Sequence, residues 1–70
     1  MPLGNRLKEF RAAGGLNQQE LGSLVDASRQ TISLIERGDY NPSITLALKI
    51  ARVFGKSVEE VFYLTGEEEL

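Results

Sequence analysis

Residues 16–38 read LNQQELGSLVDASRQTISLIERG, and they specify two short helices with a tight turn between them. Asn17 is a favourable N-cap for the first helix, because its side chain accepts a hydrogen bond from a free amide of the first turn. Glu20 follows three residues later, which is the spacing of a capping box. A helix is therefore predicted to begin at Asn17, and its apolar stripe comprises Leu21, Leu24 and Val25.

A second helix is predicted over residues 28–37, with Ser28 as its N-cap. Gly38 directly follows its last residue, as is common at helix ends. Its inward positions are Ile32 and Ile35. Only Asp26–Ala27 separates the two helices, so the chain must reverse within a tight turn and the helices must cross steeply. Two helices in this arrangement, the second with a polar outer face, are typical of a helix-turn-helix motif.

Two residues near the turn have special requirements. Gly22 lies where the two helices come closest, and a larger side chain there would hold them apart. Asp26 stands where a positive φ is expected, a conformation that Asp adopts at modest cost.

Another helix is predicted ahead of this pair, over residues 5–13. Leu7 and Phe10 share one stripe of it, and Leu3 extends that stripe backwards. The helix stops at Gly14–Gly15, since glycine readily takes the left-handed conformation past a helix end.

Two more helices are predicted after the pair, and no strand. The fourth, residues 43–54, is apolar around most of its circumference, with Ile44 and Leu48 among its apolar positions, so it is expected at the centre of the fold. The fifth begins at a second capping box, Ser57 with Glu60. The predicted fold is all-α, a compact five-helix bundle.

Composition limits both size and chemistry. A chain of 70 residues forms one domain, assigned to residues 1–64, and an acidic tail at residues 65–70 is expected to fray. With Cys 0 and His 0, disulfides, thiolate or imidazole metal sites and Ser-His or Cys-His catalysis are excluded. Neither a membrane-spanning run nor a leader is recognisable. We expect a cytoplasmic chain without enzymatic activity, metal, cofactor, small-molecule substrate or membrane partner.

The charge is unevenly distributed along the chain. Its formal net charge is −2, but residues 1–56 hold all 8 basic side chains against only five acidic ones. Residues 57–70 hold five acidic side chains and no basic one. A mildly basic body is compatible with a polyanionic partner, which the net charge alone would argue against.

The outer face of the helix at residues 28–37 suits the edges of DNA bases. Arg29 is able to span guanine O6 and N7, and Gln30 adenine N6 and N7. A polar helix face is most often only solvated, but this one lacks the Glu and Lys alternation of a merely soluble helix. Leu34 lies off the buried stripe, and two interpretations are open: a thymine-methyl contact or a lid over the fourth helix. The candidate DNA-contacting residues are Asn17, Gln18, Ser28, Arg29, Gln30, Thr31, Ser33, Leu34, Arg37, Tyr40 and Asn41.

Four blocks of sequence carry a resemblance to a known family. They are LNQQEL at 16–21, SRQTIS at 28–33, IERG at 35–38 and NPS at 41–43. Together they resemble the phage repressor and Cro type helix-turn-helix family, also called the xenobiotic-response-element family, and the resemblance extends over residues 7–62. It implies a lambda-repressor-like five-helix domain that binds double-stranded DNA and regulates transcription, usually as a homodimer on a near-palindromic operator.

The resemblance also assigns structural roles. It implies that Arg11 and Glu36 form a structural ion pair between the first and third helices. Family members usually have Ala where Gly22 stands and Gly where Asp26 stands, so the turn departs from the family pattern at both positions.

Two interpretations of the remaining apolar residues and of the function stay open. The candidate dimer interface comprises Val58, Val61, Phe62, Tyr63 and Leu64, more apolar side chains than the rim of a small core needs. Alternatively, Val58, Val61 and Phe62 close the core and Tyr63 alone is exposed. For function, the alternative to a repressor-like regulator is a protein-interaction module of the same fold, antitoxin-like or an anti-repressor subunit, with weak or no DNA binding.

Overall fold

The computed structural model describes residues 2–66, which form five helices and two short strands. In chain order these are β1 (Leu3–Asn5), α1 (Leu7–Ala13), α2 (Gln18–Val25), α3 (Arg29–Arg37), α4 (Ile44–Phe54), α5 (Val58–Val61) and β2 (Phe62–Leu64). The strands pair antiparallel, with Gly4 opposite Tyr63. The sheet therefore joins the two ends of the described chain. Within residues 2–66, no helix combines the length and apolarity needed to cross a bilayer.

One hydrophobic core connects all five helices and β2. Its members are buried aliphatic and aromatic side chains from every one of these elements: Leu7, Leu21, Val25, Ile32, Ile35, Ala47, Ile50, Ala51, Val61 and Phe62. Burial of apolar side chains of this size contributes about 1.5–3 kcal/mol each, so this cluster is the main source of stability. The predicted helix-turn-helix pair, α2 and α3, supplies four of the ten.

Side-chain caps fix where four of the helices begin. The side chains of Asn17, Ser28, Ser43 and Ser57 each accept a hydrogen bond from the backbone amide three residues later. Complete capping boxes form at Asn17 with Glu20 and at Ser57 with Glu60. The predicted starts of α2 to α5 are thus confirmed.

The expectation that the chain has no strand was wrong at both ends. Leu3–Asn5 forms β1 instead of the first turn of a helix, and α1 begins at Leu7. The side chain of Asn5 accepts from the Leu7 amide at 3.0 Å and donates to the Ile35 carbonyl at 2.9 Å. These bonds and the pairing with β2 satisfy backbone N–H and C=O groups near the start of the chain. In a longer α1 the same groups would have bonded within the helix.

Thr65, the first residue of the tail that was expected to fray, is hydrogen-bonded to the other end of the described chain. The backbone amide and the hydroxyl of Thr65 both donate to the Pro2 carbonyl, at 2.9 Å and 3.2 Å. The strand pairing therefore continues one residue past β2. The rest of the predicted tail, residues 67–70, lies outside the described residues.

Several apolar side chains lie on the opposite side from the one predicted. Leu24 on α2 is 60% exposed. On α4, Ile44 is 77% exposed and Leu48 55%, so α4 is buried along one stripe only and is not surrounded by the other helices. Conversely, Val61 and Phe62 are buried in the core, at 0% and 6% exposure. As members of a dimer interface they were wrong, because their side chains are already covered within this chain.

Of the remaining interface candidates, Val58 is partly buried and packs against the core. Tyr63 and Leu64 are exposed, at 44% and 63%. The alternative, in which Val58, Val61 and Phe62 close the core, therefore describes those three residues correctly. It is incomplete for Leu64, which is exposed together with Tyr63.

The crossing of α2 over α3 depends on two residues. A Cβ added to Gly22 would overlap the carbonyl oxygen of Ala27, so the observed approach requires a glycine there. Asp26 takes the left-handed conformation, with φ 59° and ψ 41°, and its amide donates to the Gly22 carbonyl. Its carboxylate also lies 3.4 Å from Nζ of Lys49 on α4.

An ion pair then holds α3 against α1. Nε of Arg11 lies 2.6 Å from Oε2 of Glu36, and Nη2 lies 3.2 Å from Oε1. Arg11 also donates to the Leu16 carbonyl, while Nε2 of Gln18 donates to Glu36 at 3.1 Å. The side chains of Arg11 and Glu36 are only 13% and 5% exposed. The Glu36 carboxylate raises the pKa of the Arg11 guanidinium above its ordinary value, because it accepts this hydrogen bond and attracts the positive charge, while partial burial acts in the opposite direction.

Replacing Asp26 tests the backbone strain of the turn. Asp26→Gly should raise the free energy of unfolding by about 0.5 kcal/mol, since glycine takes a positive φ without the Cβ clash. Asp26→Ala should lower the free energy of unfolding by about 1 kcal/mol, because alanine keeps the Cβ clash and lacks the short polar side chain that lets Asp tolerate a positive φ. Asp26→Asn, which keeps tolerance of this conformation but removes the contact with Lys49, is the control. Urea unfolding measures all three, and an Ala variant as stable as the Gly variant would contradict the strain.

Replacing Glu36 tests the partly buried ion pair. Glu36→Ala should lower the free energy of unfolding by about 3 kcal/mol, because it leaves the partly buried Arg11 charge without its partner. Glu36→Gln should cost less, since its amide oxygen still accepts from Arg11. The matched control is Glu9→Ala, which removes the exposed partner of Arg6 and should leave the thermal midpoint nearly unchanged. Equal effects of the Glu36 and Glu9 changes would show that the pair has no structural role.

Candidate nucleic-acid interface

The outward face of α3 is opposite its buried stripe. Ile32 and Ile35 point into the core, at 0% and 1% exposure. A helix with those two positions buried turns the opposite set outward, at spacings of i, i+3, i+4 and i+7. The residues of this set are Gln30, Ser33, Leu34 and Arg37. We call these four residues the α3 face.

The α3 face borders an open depression that also includes the start of α2. Its lining residues are Gln18, Arg29, Gln30, Ser33, Leu34 and Arg37, and its volume is about 480 Å³. Six of the eleven residues that the sequence predicted to contact DNA are thus brought together on one surface. The depression offers a guanidinium fork, amides and a hydroxyl within reach of one ligand, which is the donor and acceptor set that matches base edges.

A second, polar depression lies at the N-terminus of α2. It has a volume of about 390 Å³ and is lined by Arg11, Asn17, Gln18, Gln19 and Arg29. Within residues 2–66, the backbone amides of Gln18 and Gln19 donate to no other group, while the amide of Glu20 is held by the Asn17 cap. Free amides at a helix N-terminus, beside guanidinium groups, favour a bound anion such as a phosphate.

Gln18 connects the two depressions, because it lines both of them. Its Nε2 donates to Oε1 of Glu36, so its amide group is oriented by the same carboxylate that holds Arg11. This bond was missed by sequence reasoning. The two residues are 18 positions apart, and their contact follows only from the crossing of α2 and α3.

Ser28 and Thr31 lie at the first turn of α3, outside the larger depression. The Ser28 hydroxyl accepts from the Thr31 amide at 3.0 Å and lies 2.9 Å from the Thr31 hydroxyl. Both side chains were predicted to contact DNA. Their hydroxyls already bond to each other, so the N-cap is their principal role in the described structure.

The loop after α3 holds the last predicted contacts, and neither depression includes them. Tyr40 is 48% exposed, and Asn41 is exposed beside it. The carboxylate of Asp39 lies 3.3 Å from Nε of Arg37, on a surface where both side chains are about 60% exposed. An exposed pair of this kind is weak, so the Arg37 guanidinium can exchange Asp39 for a phosphate at little cost.

Comparison with known proteins agrees with this geometry. The helix-turn-helix family model matches residues 7–61. The chain is 51% identical over 63 residues to the uncharacterized HTH-type transcriptional regulator YgzD of Bacillus subtilis, covering 90% of this chain and 96% of YgzD.

Two solved structures of similar shape are a controller protein and a repressor. The restriction-modification controller protein C.AhdI of Aeromonas hydrophila superposes with a TM-score of 0.73 at 36% identity, over 79% of this chain and 83% of that chain. The P22 c2 repressor, solved in complex with a synthetic operator, gives a TM-score of 0.75 at 26% identity, over 77% and 82%.

The names of these relatives describe regulators of transcription. The resemblance found in the sequence is confirmed by the match over residues 7–61 and by the shared architecture. The α3 face lies on the second helix of the helix-turn-helix motif. The chain belongs to the helix-turn-helix family of the Cro/C1 type, a family of DNA-binding transcriptional regulators.

Proposed function

We propose that this chain is a sequence-specific repressor-like regulator that inserts α3 into the major groove of double-stranded DNA. The observation that carries the proposal is the depression along the α3 face, which groups Arg29, Gln30, Ser33 and Arg37 on one accessible surface. A major groove about 12 Å wide admits one α-helix, and these side chains match the pattern of donors and acceptors displayed there. Repression then follows from occupying an operator.

Phosphate contacts hold α3 in register on the duplex in this proposal. The amides of Gln18 and Gln19 at the N-terminus of α2 bind one phosphate, and Gln18 adds its oriented side chain. Beyond the other end of α3, the DNA phosphate backbone is bound by Arg37, Tyr40 and Asn41. These contacts fix position without reading sequence. A DNA-binding regulator must share a compartment with its DNA, and we propose the cytoplasm for this chain.

The proposal includes a homodimer on a near-palindromic operator. We assign its interface to exposed apolar side chains from two elements, Ile44 and Leu48 of α4 with Tyr63 and Leu64 of β2, and call this set the α4–β2 surface. All four side chains are exposed by 44% or more, and Leu48 and Val58 line one groove of about 720 Å³ between α4 and α5. Apolar side chains exposed in this number favour burial against a partner. Two-fold symmetry would place the two α3 helices about 34–36 Å apart, one turn of duplex.

The DNA-binding proposal is tested first by selecting bound sequences from a random duplex pool. We expect a near-palindromic sequence whose affinity falls steeply with added salt, because phosphate contacts release counterions. Arg29→Ala should cost about 1–3 kcal/mol at one base pair and relax the preference there. The matched control is Arg52→Ala, which removes the same charge from α4 and should keep the preference unchanged.

Two results would count against this function. An Arg29→Ala variant that selects the same sequence with the same stringency would remove Arg29 from base reading. A chain that retards no duplex even at low salt would support the alternative, a protein-interaction module of the same fold.

The dimer proposal is tested by placing a charge on the α4–β2 surface. Leu48→Asp should weaken self-association by roughly tenfold or more, since each protomer would bury a carboxylate in an apolar contact. Leu24→Asp is the matched control, because Leu24 is exposed to a similar degree on α2. Sedimentation equilibrium over a range of concentrations measures both variants. Equal weakening by the two changes, or a monomeric parent chain, would contradict the assignment of this surface.

A further inference from the structure

Leu34 is the one large apolar side chain of the α3 face, and it does not pack against the buried core. It is partly exposed and lies among Gln30, Ser33 and Arg37. Among residues 2–66, Leu34 belongs neither to the buried core nor to the partly buried apolar side chains that pack against it. A lid over α4 would have placed it in that second group. Core packing therefore does not explain a leucine at this position.

The neighbours of Leu34 define the chemistry that it would meet. Gln30 is one helical turn earlier, and Ser33 and Arg37 flank it, so polar groups surround an apolar tip. A leucine offers no hydrogen bond, and against a cytosine amino group or a guanine oxygen it would leave a base edge unpaired. The C5-methyl group of a pyrimidine is the apolar feature that the major groove presents.

We infer that Leu34 makes the chain selective for a 5-methylpyrimidine at one position of each half-site. This inference rests on the proposed insertion of α3 into the major groove. The methyl group contacts the Leu34 side chain and loses its exposure to water, while the neighbouring polar side chains bind the adjoining base edges. Two bases carry this methyl group: thymine, and cytosine after C5 methylation.

The experiment uses the duplex selected from the random pool and the full chain. Each thymine is replaced singly by deoxyuridine, which removes one methyl group and keeps every hydrogen-bonding group. Fluorescence anisotropy should find one thymine in each half-site where deoxyuridine weakens binding about threefold to fivefold, the effect of exposing one methyl group. Leu34→Ala should bind the thymine and deoxyuridine duplexes equally at that position, and elsewhere it should respond as the parent chain does.

Two further variants keep the test independent of folding. Leu34→Met retains an apolar side chain of similar volume and should retain the methyl preference. Leu34→Gln keeps helix propensity and length but should lose it. Leu24→Ala is the control for loss of an exposed leucine outside the α3 face. Circular dichroism verifies the helical fold of each variant.

A further arm identifies the source of the methyl group. At the sensitive position, cytosine and 5-methylcytosine replace thymine in turn. If 5-methylcytosine binds severalfold more tightly than cytosine to the parent chain but not to Leu34→Ala, the methyl group alone is read. If deoxyuridine weakens binding and 5-methylcytosine restores nothing, the source is thymine, because its O4 is read as well. Both results support the contact with Leu34.

The results that overturn the inference are separate from those that overturn the proposed function. If a duplex is selected and Arg29→Ala relaxes its sequence, but no thymine distinguishes the parent chain from Leu34→Ala, the role of Leu34 is wrong while α3 still reads DNA. If no duplex is selected at all, the proposed function is wrong and the inference is wrong with it.

Discussion

The position of α3 depends on a single close approach. Gly22 has no side chain where the Ala27 carbonyl passes it, and Asp26 supplies the left-handed residue that lets the chain reverse within two residues. This approach sets the angle at which α3 leaves α2, and so it decides which side of α3 meets the core. Once Ile32 and Ile35 are buried, the α3 face must point outward, because helical geometry leaves it no other direction.

Glu36 adds a second constraint to this crossing. Its carboxylate accepts from Arg11 on α1 and from Gln18 on α2, so three helices meet at one partly buried charge. A charge in this position stabilises the fold only while its partners are present. The pair therefore favours this one packing of the three helices more than it adds to the free energy of unfolding. The same carboxylate orients the Gln18 amide, so the residue that stabilises the crossing also prepares one edge of the site. Oε1 of Glu36 accepts from both Arg11 and Gln18, so under the proposed function a change at Glu36 would alter stability and DNA recognition together.

The sequence predicted the parts of this structure that depend on neighbouring residues. The caps at Asn17, Ser28, Ser43 and Ser57 are local interactions over three residues, and all four were correct. The buried positions of α3, Ile32 and Ile35, were correct as well, because they follow from helical periodicity. The strands were missed because three residues carry too little alternation, and because their pairing joins positions about sixty residues apart. Apolar content likewise did not reveal that Ile44 faces outward while Val61 faces inward, since both depend on how α4 and α5 pack. The contact of Gln18 with Glu36 needed the crossing itself.

Charge limits how the proposed binding is achieved. Arg11 is committed to Glu36, so Arg29 and Arg37 are the arginines that the described depression along α3 offers to a duplex. With two arginines per protomer along this depression, base contacts must add to the phosphate contacts to supply the binding free energy. On the proposed palindromic operator, a second protomer doubles both kinds of contact and binds as part of one molecule, which raises affinity without any new interaction. A weakly charged monomer would then occupy DNA poorly, and occupancy would follow the dimer equilibrium. The exposed apolar side chains of α4 and β2 would in that case set the concentration at which the regulator acts, although none of them touches the DNA.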